Sequence, residues 1–211
     1  QFKDSGAKAI ITLQDLLPKL EKVKADTDIE TVIFCNPGDL ISHDKQELAG
    51  CVNFNLAMAK GVNLTLNKRA NIHLDDTCVL QYTGGTTGVS KGAELSHRNI
   101  LSNAAQTLNG LGDTCSEGKE IFVCPLPLYH IYAFTVNMMV FFSRGNLNVL
   151  IPNPRDMDAF IGAIKPFKFT GFSGINTLFV GLCATDNFKQ LDFSALKLTI
   201  SGGSALTSDA V

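Results

Sequence analysis

No run of this chain is apolar for long enough to span a bilayer, and the residues after Gln1 do not read as a signal peptide. Charge of one sign is scarce as well: a net charge of -2 leaves no electrostatic footprint for nucleic acid. The four histidines fall at no metal-ligand spacing. Six cysteines, at positions 35, 51, 78, 115, 124 and 183, form no Cys-x-x-Cys pair and mostly sit inside apolar runs. That pattern argues against a zinc site and a disulfide framework, and predicts buried free thiols in a reducing cytosol. No internal repeat recurs at solenoid periods.

What is present has the hydrophobic and charged fractions of an ordinary soluble protein. The length allows one large domain or two small ones with ample core. Apolar strand-like runs alternate with helix-like ones. Strands are expected at Lys8–Thr12, Thr31–Cys35, Thr77–Tyr82, Ile121–Pro125, Leu147–Ile151, Phe167–Phe172 and Leu196–Ser201. Helices are expected at Leu13–Lys24, His97–Gly110, Ile131–Phe142, Met157–Ile164 and Ile175–Thr185. Alternation of this kind predicts an α/β fold, with parallel sheets flanked by helices. Residues 40–76 are expected to be an irregular connection between two sub-sheets. A membrane-touching helix over Ala49–Lys60 is the alternative, but it lacks the concentrated apolar face and lysine-rich polar face of an interfacial helix. Gln1–Gly6 reads as the tail of a helix, and the chain stops just after a loop at Val211. The expectation is an internal segment of a longer protein.

The densest chemistry lies at Tyr82-Thr83-Gly84-Gly85-Thr86-Thr87-Gly88-Val89-Ser90-Lys91-Gly92-Ala93. Glycine lets backbone N–H groups approach a ligand closely, threonine hydroxyls donate to phosphate oxygens, and lysine adds a mobile positive charge. A strand candidate precedes the loop. After it, Ser96 can cap a helix whose apolar positions Ile100, Leu101, Ala104, Ala105 and Leu108 mark one face. Strand, loop and helix in that order are the layout of a phosphate site at the edge of an α/β sheet. The P-loop pattern fails, because Lys91 is followed by Gly92 rather than Ser or Thr. The dinucleotide pattern fails because Gly84, Gly85 and Gly88 do not reproduce its spacing. A turn-rich surface loop is the plainer alternative, and it gives no reason for a lysine at a fixed place after a strand.

Tyr82–Ala93 resembles the signature of the AMP-forming acyl-adenylate enzymes, and specifically the bacterial long-chain fatty-acid–CoA ligases. Leu95–Ile100 resembles the helix start that follows it there. Pro125-Leu126-Pro127-Leu128-Tyr129-His130-Ile131-Tyr132-Ala133 resembles the family's second core motif. Asn153–Asp156, Gly174–Phe179 and Leu191–Ser194 resemble stretches of the fatty-acid branch, and Ser201-Gly202-Gly203-Ser204-Ala205-Leu206 resembles its adenine-side loop. The likeness is continuous from about Thr77 onward, fainter before Asp39, and slight between Leu40 and Asp76.

The resemblance implies a layered αβαβα N-terminal adenylation domain, incomplete here. It also implies a two-step reaction. A fatty-acid carboxylate attacks the α-phosphorus of ATP, giving acyl-AMP and pyrophosphate; the coenzyme A thiol then attacks the acyl carbon and releases AMP. The first step sets one anion against another, so positioning and charge compensation carry it. A lysine beside the leaving pyrophosphate contributes on the order of 4 kcal/mol at ~4 Å. Lys91 fits that role. Tyr82, Thr83, Gly84, Gly85, Thr86, Thr87, Gly88, Lys91 and Gly92 would bind ATP, with Thr83 near Mg²⁺. His130 would face the meeting point of carboxylate and α-phosphate, although a lone histidine is more often structural. Tyr129 and Tyr132 read equally well as packing residues. Gly174, Ile175, Asn176 and Thr177 would line the acyl site, with Gly174 admitting the acyl chain and Asn176 capping a helix. Ser201, Gly202, Gly203 and Ser204 would lie beside the adenylate. Plain strand-to-helix punctuation is the alternative for both segments.

The implied partners are ATP with Mg²⁺, a long-chain fatty acid and coenzyme A, with no nucleic acid. The implied location is cytoplasmic, with peripheral contact at the inner membrane face left open. The family's next acidic motif and its C-terminal lysine domain fall outside these residues, so the isolated segment is expected to be inactive. Another acyl-adenylating enzyme, for an aryl, short-chain or amino acid, is the nearest alternative. A stand-alone nucleotide-binding module is the other.

Overall fold

Two units, Gln1–Glu94 and Leu95–Val211, make up the chain. The structure is a computed structural model, and it describes residues 1–43, 45–66, 68, 71–83 and 90–207, with Leu40 by its backbone alone.

The first unit opens with helix α1 (Phe2–Ser5). It ends at Gly6, whose left-handed backbone (φ 62°) suits glycine and returns its N–H to the carbonyls of Phe2 and Lys3. Strands β1 (Ala9–Leu13), β2 (Thr31–Cys35) and β3 (Val52–Asn53) form a parallel sheet in the order β1-β2-β3. Between the first two lies helix α2 (Leu17–Lys24), with proline in its first turn where no N–H is needed. Leu17 and Leu20 of α2 pack on Ile29, Val32 and Phe34, and this is the unit's core. Residues 40–76 are only partly irregular. Helix α3 (Asp39–Ser42) precedes β3, which adds to the sheet, and helix α4 (Phe54–Gly61) follows it. Asn53 caps α4 by accepting from the N–H groups of Asn55 and Leu56.

Strands β4 (Thr77–Thr83) and β5 (Lys91–Ser96) form a separate two-stranded sheet. The expected strand–loop–helix is therefore strand–loop–strand–helix. Gly92, Ala93 and Glu94 have poor strand propensity, but their backbone finds hydrogen-bond partners on β4, and pairing overrides propensity.

The second unit begins with α5 (His97–Leu111), entered through a capping box. Ser96 Oγ accepts from the Asn99 N–H at 3.2 Å, and Asn99 Oδ1 accepts from the Ser96 N–H at 2.9 Å. There follow β6 (Ile121–Cys124), α6 (Ile131–Ala133) running on as a π-helix over Phe134–Phe141, and β7 (Leu147–Leu150). Helix α7 (Met157–Ile164), capped by Asp156, leads to β8 (Gly171–Gly174). Then come α8 (Asn176–Cys183), α9 (Asp186–Lys189) and β9 (Leu198–Ser201). The four strands are parallel, in the order β7-β6-β8-β9. The predicted α/β architecture of parallel sheets flanked by helices is the one observed.

Alternation along β6 separates two cores. Phe122 points to one face, against Ala104 of α5 and Val136, Val140 and Phe141 of the π-helix. Val123 points to the other, against Phe160 and Ile164 of α7, Leu178 and Leu182 of α8, and Phe172. A buried polar network fixes the π-helix: Asn137 Nδ2 donates to Asn148 Oδ1 at 3.0 Å, and Ser173 Oγ donates to Asn137 Oδ1 at 2.9 Å. At the opposite end of the sheet, buried Glu120 accepts from Lys197 Nζ at 2.9 and 3.1 Å and from the Ser116 N–H at 3.0 Å.

Two expectations need correction. The strand expected at Phe167–Phe172 starts at Gly171, because Phe169 leaves the ladder to fill the core. Of the six thiols only Cys115 and Cys124 are buried, whereas Cys78 and Cys183 are exposed. Cys183 follows buried Leu182 by one residue, which on a helix is a rotation of about 100° away from the core. All six are free, as expected. Among the described residues no helix is long and apolar enough to cross a membrane.

Candidate active site

The topology of the second unit itself marks a binding place. The connection leaving β6 runs through α6 and the π-helix on one face, while the one leaving β8 runs through α8 and α9 on the other. Where neighbouring parallel strands send their chains to opposite faces, a crevice opens at their carboxyl ends, and ligands of open α/β sheets bind there. A cavity of about 400 Å³ lies at this point, lined by Pro125, Leu126 and Pro127 after β6 and by Ile175, Thr177 and Leu178 after β8. Pro154 and Arg155 close one side. A neighbouring cleft of about 590 Å³ extends along Cys124–Tyr129 and Leu150–Arg155. Three stretches singled out in the sequence, Pro125–Ala133, Asn153–Asp156 and Gly174–Phe179, thus contribute to one crevice.

His130 caps α6. Its Nδ1 accepts from the Tyr132 N–H at 3.2 Å, which leaves the ring proton on Nε2. The imidazole is exposed, and among the described residues Nε2 has no hydrogen-bond partner, so it can donate to an incoming oxygen. Tyr132, in contrast, is committed to the fold. Its hydroxyl donates to the Ile200 carbonyl at 2.8 Å, and burial pushes its pKa up to about 12. Its ring lies over Gly202, where a Cβ would come within 3.0 Å of it. Tyr132 is thus the post that holds the start of α6 against the Ser201–Ser204 loop. Tyr129 does not pack: it is exposed.

The Gly202 N–H donates to the Gly174 carbonyl at 3.3 Å, carrying the β8–β9 ladder one step into the loops. Gly203 takes a left-handed backbone (φ 78°), Ser204 is exposed, and the Ser201 hydroxyl is buried with no partner among the described residues. Gly174 has a packing reason: a Cβ there would meet the Phe179 ring at 2.6 Å, so the space expected to admit an acyl chain holds that ring. Asn176 does not cap α8, whose N-cap Ile175 makes no side-chain capping bond. Asn176 Oδ1 accepts instead from the N–H (2.9 Å) and hydroxyl (3.2 Å) of Thr207, which ties the start of α8 to the segment after β9. Cys124 lines the crevice too, but burial pushes its thiol pKa up and leaves it a weak nucleophile.

In the first unit, Gly84, Gly85, Thr86, Thr87 and Gly88 lie outside the described residues. Their stems are described. Thr83 ends β4 and Lys91 opens β5, both exposed. Among the described residues Lys91 has no ion-pair partner, which suits a cation kept for a ligand. Ser90 Oγ donates to the Thr83 carbonyl at 3.2 Å, which joins the end of β4 to the residue before β5. Tyr82 donates its hydroxyl to Asp4, and this bond, then burial, raises its pKa. The hydroxyl is therefore already engaged rather than free for phosphate. Among the described residues no group of three or more His, Cys, Asp or Glu side chains could hold a metal ion. Thr83 offers a single neutral oxygen, enough for one place on a Mg²⁺ held mainly by phosphates and water, and not a metal site by itself.

Residues 1–211 match the AMP-binding enzyme family over their whole length. The chain belongs to that family. Within it, the chain is 39% identical over 220 residues to a long-chain-fatty-acid–CoA ligase of Salmonella typhimurium, covering 96% of this chain and 39% of that protein. The anthranilate CoA ligase AuaEII, solved with anthranoyl-AMP, superposes with a TM-score of 0.81 at 25% identity, over 97% of this chain and 38% of that one. A long-chain-fatty-acid-CoA ligase of Archaeoglobus fulgidus superposes at 0.73 with 20% identity, over 100% of this chain and 38% of its own, and bears on the fold alone. This member of the family thus spans about two fifths of the length of these relatives.

Sequence reasoning did not pick out Ser90, Asn137 or the tie made by Tyr132. Ser90 and Tyr132 lay within recognised stretches and Asn137 did not, but the role of each depends on its partner, which no local pattern states. Arg155 lay within a recognised stretch, but nothing in the sequence indicated that it lines the crevice.

Proposed function

We propose that this chain is part of the N-terminal adenylation region of an AMP-forming long-chain fatty-acid–CoA ligase. The observation that carries the reading is the convergence of Pro125–Ala133, Gly174–Thr177 and Ser201–Ser204 at the carboxyl ends of β6, β8 and β9, in a chain 39% identical to a ligase of that name. In this reading the carboxylate attacks the α-phosphorus of ATP, the α–β bond breaks, and pyrophosphate leaves with the electron pair. The coenzyme A thiol then attacks the acyl carbon and AMP leaves.

The residues divide the work by their chemistry. His130 Nε2–H donates to an oxygen at the reacting centre, while Nδ1 holds the ring in place. Lys91 compensates the charge of the leaving pyrophosphate. Ile175 and Thr177, which line the crevice, take the acyl group, and the Ser201–Ser204 loop the adenylate. Mg²⁺, when bound with ATP, supplies further charge neutralisation at the phosphates.

Palmitate-dependent exchange of pyrophosphate into ATP by the full-length protein tests the reading. Exchange with palmitate and not with an aryl acid supports it. Exchange driven only by an aryl acid such as anthranilate would replace it with the aryl-ligase alternative.

A further inference from the structure

Among the described residues, Arg155 is the only charged one lining either part of the crevice. The cavity of about 400 Å³ and the neighbouring cleft of about 590 Å³ share it, and their other walls are mostly apolar, with Leu126, Ile151, Met157 and Leu178 among them. Its charge is not engaged within the fold. Among the described residues Arg155 makes no ion pair, and its neighbour Asp156 is committed to capping α7, where Oδ1 accepts from the Ala159 N–H at 3.0 Å. The turn that presents it is braced. Pro152 and Pro154 each fix a φ angle. Asn153 Oδ1 accepts from the Arg155 N–H at 3.3 Å, and the Asn153 carbonyl accepts from the Asp156 N–H at 3.3 Å. The guanidinium thus stands on a backbone that is already ordered, which lowers the entropy lost when it binds.

A cation on an apolar wall selects an anion, and the wall selects one with an apolar body. Arg155 is exposed, so it stays hydrated until that anion arrives and needs no resident counter-ion. Of the anions in the adenylation reading, ATP and coenzyme A carry their charge on polar bodies. The fatty acid alone joins one carboxylate to a wholly apolar chain.

We propose that Arg155 captures the carboxylate of the acyl substrate as it enters the crevice. Arg155 follows β7, and Ile175 and Thr177 follow β8; between those strands lies β6, whose connection carries His130. A carboxylate held by Arg155 is passed to His130 and the α-phosphate for reaction. Arg155 therefore acts on binding, and on the choice of a charged head over an uncharged one. That the acid is a long-chain fatty acid rests on the adenylation reading above; that the crevice takes a carboxylate on an apolar chain does not.

Equilibrium binding of palmitate and of 1-hexadecanol, the same chain without the charge, tests this in the full-length protein with Arg155→Gln and Arg155→Lys. Arg155 is exposed, so neither variant is expected to disturb the fold. Arg155→Gln should weaken palmitate binding about three- to tenfold, between the effect of an exposed ion pair and that of a shielded charged hydrogen bond. Hexadecanol binding should stay within about twofold. Arg155→Lys keeps the charge without the planar fork and should fall between the two. KM for palmitate in pyrophosphate exchange should rise with the loss of binding, and KM for ATP should not. Palmitate binding unchanged by Arg155→Gln overturns the inference, and so does an equal loss for hexadecanol, which would mean that the side chain only packs the wall. Either result with palmitate-driven exchange intact leaves the adenylation reading standing. Head-group selection that is lost in Arg155→Gln, in a protein whose unaltered form shows no such exchange, would remove that reading and keep the carboxylate site.

Discussion

His130 divides one imidazole between two tasks: Nδ1 caps α6 and Nε2 faces outward. The tasks can be separated by substitution. Alanine removes both, at a cost of about 1 kcal/mol for the lost cap. Asparagine is a strong N-cap and should restore the stability without restoring the donor. His130→Asn is therefore expected to melt within about 2 °C of the unaltered protein while adenylation falls on the order of 10²-fold. Melting curves together with pyrophosphate exchange check it; a variant with near-normal exchange would reduce His130 to a cap. Tyr132 shows the opposite economy, since its ring and hydroxyl are both taken by the fold. Both residues stood in a recognisable motif. Their difference did not, because it depends on which neighbour, the Tyr132 N–H or the Ile200 carbonyl, each polar group meets. Gly174 and Asn176 were legible as special positions for the same reason that their roles were not: residue type indicates a constraint, and the partner gives its cause.

At the scale of elements, the periodic segments were readable. The strand Thr31–Cys35 and the helix Met157–Ile164 have the bounds expected from their apolar spacing, and Ser96 caps the helix it was expected to cap. Elements that depend on distant partners were not. β5 exists because β4 lies beside it, and the π-helical stretch within the expected helix Ile131–Phe142 accompanies the buried Asn137–Ser173–Asn148 network. The late start of β8 has a sharp physical counterpart. At Gly171 a Cβ would come within 1.9 Å of the Phe122 ring, which is stacked on Phe141 and has no room to move. Gly171→Ala is expected to destabilise the second unit by roughly 1–3 kcal/mol through overpacking. Denaturant titration should show the lower midpoint; an unchanged midpoint would mean that the Phe122–Phe141 pair yields more easily than close packing implies.

For the whole molecule, acid stability should follow Glu120. Burial alone would raise its pKa, but the hydrogen bonds from Lys197, Thr170 and Ser116 outweigh it and hold the carboxyl below its usual value. A depressed folded-state pKa contributes stability that is present above the unfolded glutamate value of about 4.3 and is lost as pH falls through the folded one. Lys197→Met should lower stability at neutral pH and flatten the acid limb, because it leaves a buried carboxylate without its cation. Urea titrations from neutral pH to about pH 3 check both, and an acid limb unchanged in Lys197→Met would remove Glu120 as its source. The fold class followed from the alternation of apolar runs, and the place of the site follows from the order β7-β6-β8-β9, which no sequence pattern states.

The account turns on the loop that begins after Thr83 and ends before Lys91, and on what that lysine holds. The most direct test is palmitate-dependent pyrophosphate–ATP exchange by the full-length protein and its Lys91→Ala variant. The account predicts exchange in the unaltered protein and a loss on the order of 10²-fold in the variant, with palmitate still bound. Exchange that persists undiminished without the Lys91 side chain would contradict it.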